Sequence, residues 1–212
     1  MKLEFDHVFI IVKQKAEVAD ALVSLGMLEG DSNKHQGQGT SNRRFYFKNG
    51  MLEFLYIHDE NEAIKGPARD LKFYERLVDP QASPYGIILY SDAGSKDDMP
   101  FSGWKYQPEY FKNGWAFHIG ENSVNINEPL CIYVPFFDTN LKPKYPLGEK
   151  FKSIDEVIIY SPSISETLAI TNSAKRLKIE KGDEHLIEIT FNIERTGHTK
   201  DFRPLIPLIV NW

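Results

Sequence analysis

Residues 3–12 (LEFDHVFIIV) constrain the fold of this chain more than any other segment. The run is rich in Phe, Ile and Val, which is typical of a β-strand. Both faces of this strand are apolar: one carries Phe5, Phe9 and Ile11, the other Val8, Ile10 and Val12. A strand that is buried on both sides needs a covering layer on each face of its sheet. The pattern therefore predicts an α+β fold, with a helix on one face and further structure on the other.

A helix and then a hairpin are predicted after this strand. Apolar residues recur at helical spacing before Gly26, which is well placed to end the helix. Asn49-Gly50 is a strong two-residue turn signal between two further apolar strands. With a short strand expected near 28–33, residues 1–60 are predicted to form a βαβββ module.

A second module is predicted over residues 83–138. Its expected strands are GIILYS (86–91), WAFHI (115–119) and EPLCIYVPFF (128–137). Residues 1–140 would then form one domain of two modules. Residues 138–150 are rich in Pro, Gly and Lys and are the best candidate for a linker.

The C-terminal part, residues 150–212, contains a weak internal echo of the first module. IDEVIIYS (154–161) is similar to FDHVFIIV (5–12), and HLIEITFNI (185–193) is similar to GMLEFLYI (50–57). A plausible helix lies between the two segments. This region is therefore predicted to be a βαββ-like extension that resembles a truncated third module.

Composition excludes several classes of protein. The 212 residues include 25 Lys+Arg and 30 Asp+Glu, for a net charge of -5 and no basic stripe, which argues against a nucleic-acid partner. The single cysteine, Cys131, excludes a disulfide scaffold and a multi-cysteine metal site. Apolar runs are shorter than the roughly 18–20 residues that cross a bilayer, and the N-terminus lacks signal-peptide features. We therefore expect a cytoplasmic protein without a membrane partner.

His7 and Glu53 are ionisable residues on otherwise apolar strand faces. Burying a charge without a partner is costly, so such residues are informative. If the two strands are neighbours, the side chains can face each other across a pocket. They would then form either a structural hydrogen-bonded pair or two ligands of a divalent ion.

A glycine-rich segment, His35 to Asn42, is the second candidate site. Gly37 and Gly39 allow a ligand to approach the backbone closely. Thr40 and Asn42 add hydroxyl and amide groups, and Arg43 or Arg44 adds a cation for a substrate carboxylate. The alternative is a tight turn before a strand, with both arginines in solvent.

An aromatic-rich region is the third candidate, and it either lines a ligand pocket or belongs to the core. It comprises Trp104, Tyr106, Tyr110, Phe111 and Trp115.

Taken in order, these motifs carry a family resemblance. Asp6-His7-Val8, a helix, the His35–Asn42 segment and Leu52-Glu53-Phe54 resemble the first module of glyoxalase-like proteins of the vicinal oxygen chelate superfamily. The resemblance implies paired βαβββ modules whose curled half-barrel sheets enclose a small-molecule pocket. The superfamily includes isomerases, lyases, extradiol dioxygenases and sequestering proteins, so the fold does not fix the reaction.

The resemblance also implies roles for individual residues. His7 and Glu53 match the metal-ligand positions of the first module, for an ion such as Zn, Ni, Mn or Fe. The second module has no acid or imidazole at Tyr85-Gly86-Ile87 or at Leu130-Cys131-Ile132, so a third ligand would have to be His118 or Glu156, the latter with Glu188. Without a metal, Glu53 or His35 would be the general base. The substrate-binding candidates are Thr40, Asn42, Arg43, Trp115 and His118.

Three functions stay open at this point. The first is a small-molecule enzyme of lyase, isomerase or dioxygenase type, with or without a divalent metal. The second is a protein that binds or sequesters a small ligand without catalysis or metal. In the third, the pocket is vestigial and the C-terminal extension mainly mediates homodimer formation.

Overall fold

Two β-sheets form the frame of the protein in a computed structural model, which describes residues 2–91, 98–111, 114–136, 146–192 and 197–212. The strands are β1 (Glu4–Val12), β2 (Lys34–His35), β3 (Thr40–Phe47), β4 (Gly50–Ile57), β5 (Tyr85–Tyr90), β6 (Gly103–Tyr106), β7 (Phe117–Gly120), β8 (Leu130–Val134), β9 (Ile154–Ser161), β10 (Leu177–Lys181), β11 (Leu186–Phe191), β12 (Thr199–Asp201) and β13 (Leu208–Asn211). The α-helices are α1 (Glu17–Leu25), α2 (Glu60–Lys65), α3 (Phe73–Val78) and α4 (Glu166–Ile170).

The first sheet has eight strands in the order β2-β3-β4-β1-β5-β8-β7-β6. β1 is parallel to β4 and antiparallel to β5, and β5 is parallel to β8. Each half therefore repeats the same strand order outward from the centre, which confirms the predicted α+β fold of paired modules. The two halves differ in one respect. α1 follows β1, whereas the described residues between β5 and β6 (residues 91 and 98–102) contain no helix.

One surface of this sheet, which we call the back face, forms the main core. Val8, Ile10 and Phe54 are fully buried there. They pack in one cluster with Leu22 of α1 and with Ile189 of the second sheet. α1 and the C-terminal sheet therefore both cover the back face, which is one of the two faces that residues 3–12 predict to be covered.

The opposite surface, which we call the front face, has its own apolar cluster. Phe9, Leu55 and Ile88 lie there, covered by Leu71 and by Phe73 at the start of α3. The Phe9 and Phe73 rings meet edge to face, with centroids 5.9 Å apart. Both faces of β1 are therefore buried, as its sequence predicts.

The first module departs from its predicted outline in one strand. α1 ends at Gly26, whose φ of 101° favours glycine, in agreement with the sequence. The strand expected near 28–33 is instead Lys34–His35, and the β-pairing of Glu29 is limited to an isolated bridge to Phe45.

No helix in the described residues is long and apolar enough to cross a membrane.

The C-terminal sheet has the order β10-β9-β11-β13-β12. β9 is parallel to β10 and antiparallel to β11, β11 is parallel to β13, and β13 is antiparallel to β12. This order and these directions repeat those of β4-β1-β5-β8-β7. The extension therefore contains shortened versions of both modules. The expected match of residues 185–193 to 50–57 is wrong, because β11 corresponds to β5 and β10 corresponds to β4.

The two sheets also share a detail of register. β1 has an irregularity between Phe5 and His7, and the pairing of β9 has one at the equivalent position before Glu156. In the first sheet, Glu53 of β4 pairs with Phe9, which is two residues after His7. In the second sheet, Lys178 of β10 pairs with Ile158, which is two residues after Glu156. Lys178, and not Glu188, therefore occupies the position equivalent to Glu53.

Candidate active site

His7 and Glu53 face each other across β1 and β4 on the front face. His7 Nε2 lies 3.4 Å from Glu53 Oε2, and His7 Nδ1 lies 2.5 Å from Asp6 Oδ2. Each ring nitrogen thus faces a carboxylate oxygen. Because an unprotonated nitrogen would place a lone pair against an anion, this geometry favours an imidazolium with a proton on both nitrogens.

The electrostatics of the pair follow from this arrangement. Burial alone would lower the pKa of His7, but hydrogen bonds and charge from Asp6 and Glu53 outweigh it and raise that pKa to about 9. Burial alone would raise the pKa of Glu53, but the hydrogen bond and charge of His7 outweigh it and lower that pKa below its ordinary value. At neutral pH the site therefore holds a carboxylate beside an imidazolium.

Asn42 fixes the second oxygen of Glu53. Its Nδ2 donates to Glu53 Oε1 at 2.6 Å, and its Oδ1 accepts from the Asn33 backbone N–H at 2.7 Å. The second contact sets the orientation of the amide, because only the oxygen can accept. Asn42 pairs with Leu55 in the β3–β4 register and so lies on the front face. It acts on the carboxylate in a way that the sequence analysis did not assign.

His35 lies next to Asn42 as a neutral imidazole. Its Nδ1 is 3.0 Å from Thr40 Oγ1, and its Nε2 is 3.4 Å from Asn42 Nδ2. Burial lowers the pKa of His35 from its usual 6.5. Because Asn42 Nδ2 is a donor, the geometry assigns the ring proton to Nδ1 and leaves Nε2 as the acceptor.

The glycine-rich loop holds a carboxylate from within the chain. The backbone N–H groups of Gly37 and Gly39 donate to the two Glu62 oxygens at 2.8 and 2.7 Å. Both glycines have positive φ, and a Cβ on Gly39 would lie 2.4 Å from the Asp59 carbonyl oxygen. The close approach expected from the sequence is present, but it is made by α2 and the residue before it.

Two tyrosines of the second module reach this loop. Gln38 donates from Nε2 to Thr40 Oγ1 at 2.9 Å. Its Oε1 accepts from the hydroxyls of both Tyr106 and Tyr110, each at 3.4 Å. The Tyr110 ring also lies 5.7 Å from the His35 ring, measured between centroids. The front face therefore brings polar groups of both modules together.

Arg43 is placed away from the site, which corrects its predicted role in substrate binding. It pairs with Phe54 in the β3–β4 register and so lies on the back face. Its guanidinium makes a bidentate contact with Glu29 at 2.6 and 2.7 Å and a third contact with Asp20 at 2.8 Å. These contacts tie α1 and the loop after it to β3.

We expect Arg43→Ala to lower the free energy of unfolding by about 1 kcal/mol, since a partly shielded bidentate ion pair is lost. Urea unfolding monitored by tryptophan fluorescence measures this change. Arg203→Ala is the matched control, because Arg203 pairs with Asp201 on the open surface. An equal effect of the two substitutions would contradict the tethering role of Arg43.

The predicted third metal ligands are also placed elsewhere. His118 pairs with Tyr133 in the β7–β8 register, which puts it on the back face, and its Nε2 contacts the Phe101 carbonyl oxygen at 2.8 Å. Glu156 lies on the outer surface of the second sheet and forms an ion pair with Lys178 at 2.5 Å. His118 as ligand or substrate contact, and Glu156 as ligand, are therefore corrected.

The donor set at His7 and Glu53 does not fit a complete metal centre. Catalytic zinc usually has three protein ligands and an open position. In the ranges that the structure describes, no three His, Cys, Asp or Glu side chains are arranged to hold an ion. The second-module positions equivalent to His7 and Glu53 are Gly86 and Ile132, and Phe9 fills the space beside Gly86.

Trp115 lies in an aromatic cluster at the β7–β8 end of the front face. Its ring stacks on Phe136 with centroids 4.8 Å apart, and 42% of the residue is exposed. Phe111 and Phe117 complete the cluster. A role of Trp115 in substrate binding stays a prediction.

Three residues of the site had no assigned role in the sequence analysis: Asp6, Gln38 and Glu62. Asp6 and Gln38 lie within the quoted motifs, and a carboxylate beside a candidate ligand histidine is a usable signal. Glu62 lies in a polar helix, where nothing in the sequence distinguishes it from a solvated residue.

Comparison with known proteins agrees with this architecture. The family model of a glyoxalase-like domain matches residues 5–83. The crystal structure of a hypothetical protein from Staphylococcus aureus is similar over 98% of both chains, with 15% identity and a TM-score of 0.59. This likeness shows that the whole fold, including the C-terminal sheet, occurs in another protein.

A second solved structure, methylmalonyl-CoA epimerase from Mycobacterium tuberculosis, matches 62% of this chain and 86% of its own, with 15% identity and a TM-score of 0.40. That score is too low to support an argument about function. No curated protein matches the sequence. The first module of this chain is thus similar to a glyoxalase-like domain over residues 5–83.

Proposed function

We propose that this protein is a small-molecule enzyme in which Glu53 removes a proton from a carbon next to a carbonyl group, as in a lyase or isomerase. The observation that carries the proposal is the buried, ionised Glu53 on the front face of a glyoxalase-like module, held by His7 and Asn42. Perturbed carboxylates with specific partners are typical of catalytic sites.

Glu53 can act as a general base in this arrangement, but only as a weak one. The lowered pKa keeps Glu53 in its basic form at neutral pH, but it also makes the carboxylate a weak base. A weak base removes a carbon-bound proton at a useful rate only when the resulting negative charge is stabilised on oxygen. The proposed reaction therefore requires hydrogen-bond donors for an enolate oxygen.

We expect this proton transfer to proceed without a metal. The test is deuterium incorporation at the α-carbon of carbonyl compounds in D₂O, followed by ¹H NMR before and after exhaustive dialysis against a chelator. The exchange rate should be unchanged by dialysis. A rate that falls on dialysis and returns with Zn, Ni, Mn or Fe would instead support the metal-dependent alternative.

The runner-up function is binding without catalysis. It is favoured by the apolar character of the front face in the second module, where Ile88, Leu130 and Ile132 are buried together. In that case Glu53→Gln would leave the thermal shift caused by a bound apolar ligand unchanged, and no carbonyl compound would exchange its α-proton.

A further inference from the structure

We propose that the hydroxyls of Tyr106 and Tyr110 form an oxyanion-binding site, which receives the carbonyl oxygen of an uncharged substrate while Glu53 removes its α-proton. This inference rests on the proposed function and adds the substrate class and two further catalytic residues.

Two phenol groups converge on one oxygen of the carbonyl type. The hydroxyls of Tyr106 and Tyr110 both point to Gln38 Oε1, each at 3.4 Å. Hydrogen bonds between oxygen atoms are usually about 2.5–3.0 Å long, so both contacts are weak. Among the described residues, these phenols have no other hydrogen-bond acceptor. A substrate oxygen that displaces Gln38 Oε1 from between the two hydroxyls would therefore replace two weak hydrogen bonds by two stronger ones.

The phenols are connected to Glu53 by a continuous series of side chains. Glu53 is bonded to Asn42, Asn42 contacts His35, and the His35 ring lies beside Tyr110. The charge of Glu53 also acts on Tyr110 through space. A base from the first module and two donors from the second thus belong to one network of contacts.

The phenols can stabilise an anion without losing their own protons. Burial, reinforced by the charges of Glu109 and Glu62, raises the pKa of Tyr106 to about 12. Burial also raises the pKa of Tyr110. Both groups therefore remain hydrogen-bond donors at neutral pH, which is the state that an oxyanion site needs.

The proton and electron balance is closed. Glu53 takes the α-proton, the C–H electron pair forms a carbon–carbon double bond, and the carbonyl π pair moves onto oxygen. The two phenols donate hydrogen bonds to the resulting enolate oxygen. When Glu53 returns a proton to the same carbon, the C=C pair forms the new C–H bond and an oxygen lone pair restores the carbonyl group. The cycle exchanges the α-proton, and no other reactant is needed.

The carboxylates at the glycine-rich loop favour an uncharged carbonyl compound there. Glu62 occupies the backbone donors of Gly37 and Gly39 that a substrate carboxylate would use, and Glu109 lies against Gly37. Arg44, on the front face beside Glu53, donates to the Asp31 carbonyl oxygen at 2.6 Å. A ketone or thioester therefore fits this region better than a carboxylic acid.

The experiment measures α-deuterium incorporation into S-propionyl-N-acetylcysteamine and hydroxyacetone, with pyruvate as the anionic comparison. Tyr106→Phe and Tyr110→Phe should each lower kcat by about 100-fold or more, with little change in KM. Tyr160→Phe is the matched control, because Tyr160 lies in β9 of the second sheet. Thermal melting verifies that each variant is folded.

A second readout uses 4-nitrophenolate as an oxyanion probe, with binding followed by its visible absorbance. If 4-nitrophenolate binds to the wild-type protein but to neither tyrosine variant, the oxyanion site is supported. If, in addition, no carbonyl compound exchanges its α-proton, only the proposed function fails. Exchange that is insensitive to both tyrosine substitutions overturns the oxyanion site and leaves the proposed function standing. If the protein neither exchanges the α-proton of any of these compounds nor binds 4-nitrophenolate, both the oxyanion site and the proposed function are overturned.

Discussion

Glu53→Gln is expected to lower kcat for α-proton exchange by about 100- to 10,000-fold, the usual contribution of a positioned general base. The substitution keeps the size of the side chain and removes the group that accepts the proton. It should have a much smaller effect on KM, because the removed group acts on the proton in the transition state rather than on substrate binding. Exchange kinetics by ¹H NMR, at several substrate concentrations, measure both quantities.

The control for this substitution is Glu188→Gln. Glu188 is a carboxylate in the middle of β11, on the second sheet, and is remote from the front face of the first sheet. We expect the Glu188→Gln variant to exchange the α-proton of the substrate at the wild-type rate. Wild-type kcat in Glu53→Gln would show that another group is the base, with His35 as the next candidate.

Replacement of His7 by glutamine is expected to lower the free energy of unfolding at pH 7 by about 3–5 kcal/mol, the typical effect of removing one partner of a buried ion pair. Asp6 and Glu53 would then be left close together without the cation that separates them. Urea unfolding at neutral pH measures this loss.

The dependence on pH distinguishes this electrostatic effect from a simple packing defect. The pKa of His7 is about 9 in the folded protein and 6.5 in the reference state. Its stabilisation is therefore complete below about pH 6.5, declines above that pH and is lost as pH rises through 9. The shift corresponds to at most about 3 kcal/mol. The difference between wild type and His7→Gln should narrow from pH 6 to pH 10; a constant difference would indicate packing alone.

Local patterns in the sequence were sufficient for part of the fold and of the site. The two apolar faces of β1 required a layer on each side, and α1 and the second sheet cover the back face. The candidate pair could also be recognised from local sequence. His7 and Glu53 were the ionisable groups on apolar strand faces, and their expected proximity is confirmed.

Side-chain direction in the later strands was not predictable in the same way. Arg43 and His118 alternate with front-face residues, so a difference of one position decides the face. Their faces became clear only from the register with Phe54 and Tyr133. Because strand periodicity is two, spacing along the chain does not reveal which of the two faces carries a pocket.

Topology and long-range contacts account for the other differences. The segment 185–193 resembles 50–57 because buried strands have similar compositions, yet β11 occupies the place of β5. Gln38 meets Tyr106 and Tyr110 from a distant part of the chain. Contacts of this kind depend on how the modules pair, which no local pattern specifies.

The most direct test of this account is the ¹⁵N NMR spectrum of the His7 imidazole, assigned with His7→Gln, at pH 7.5 in metal-free protein and after addition of Zn²⁺. We predict that both ring nitrogens have the chemical shifts of an imidazolium and that Zn²⁺ leaves them unchanged, because His7 is held between Asp6 and Glu53. A neutral ring whose Nε2 shift changes with stoichiometric Zn²⁺ would contradict the account and identify the pair as part of a metal site.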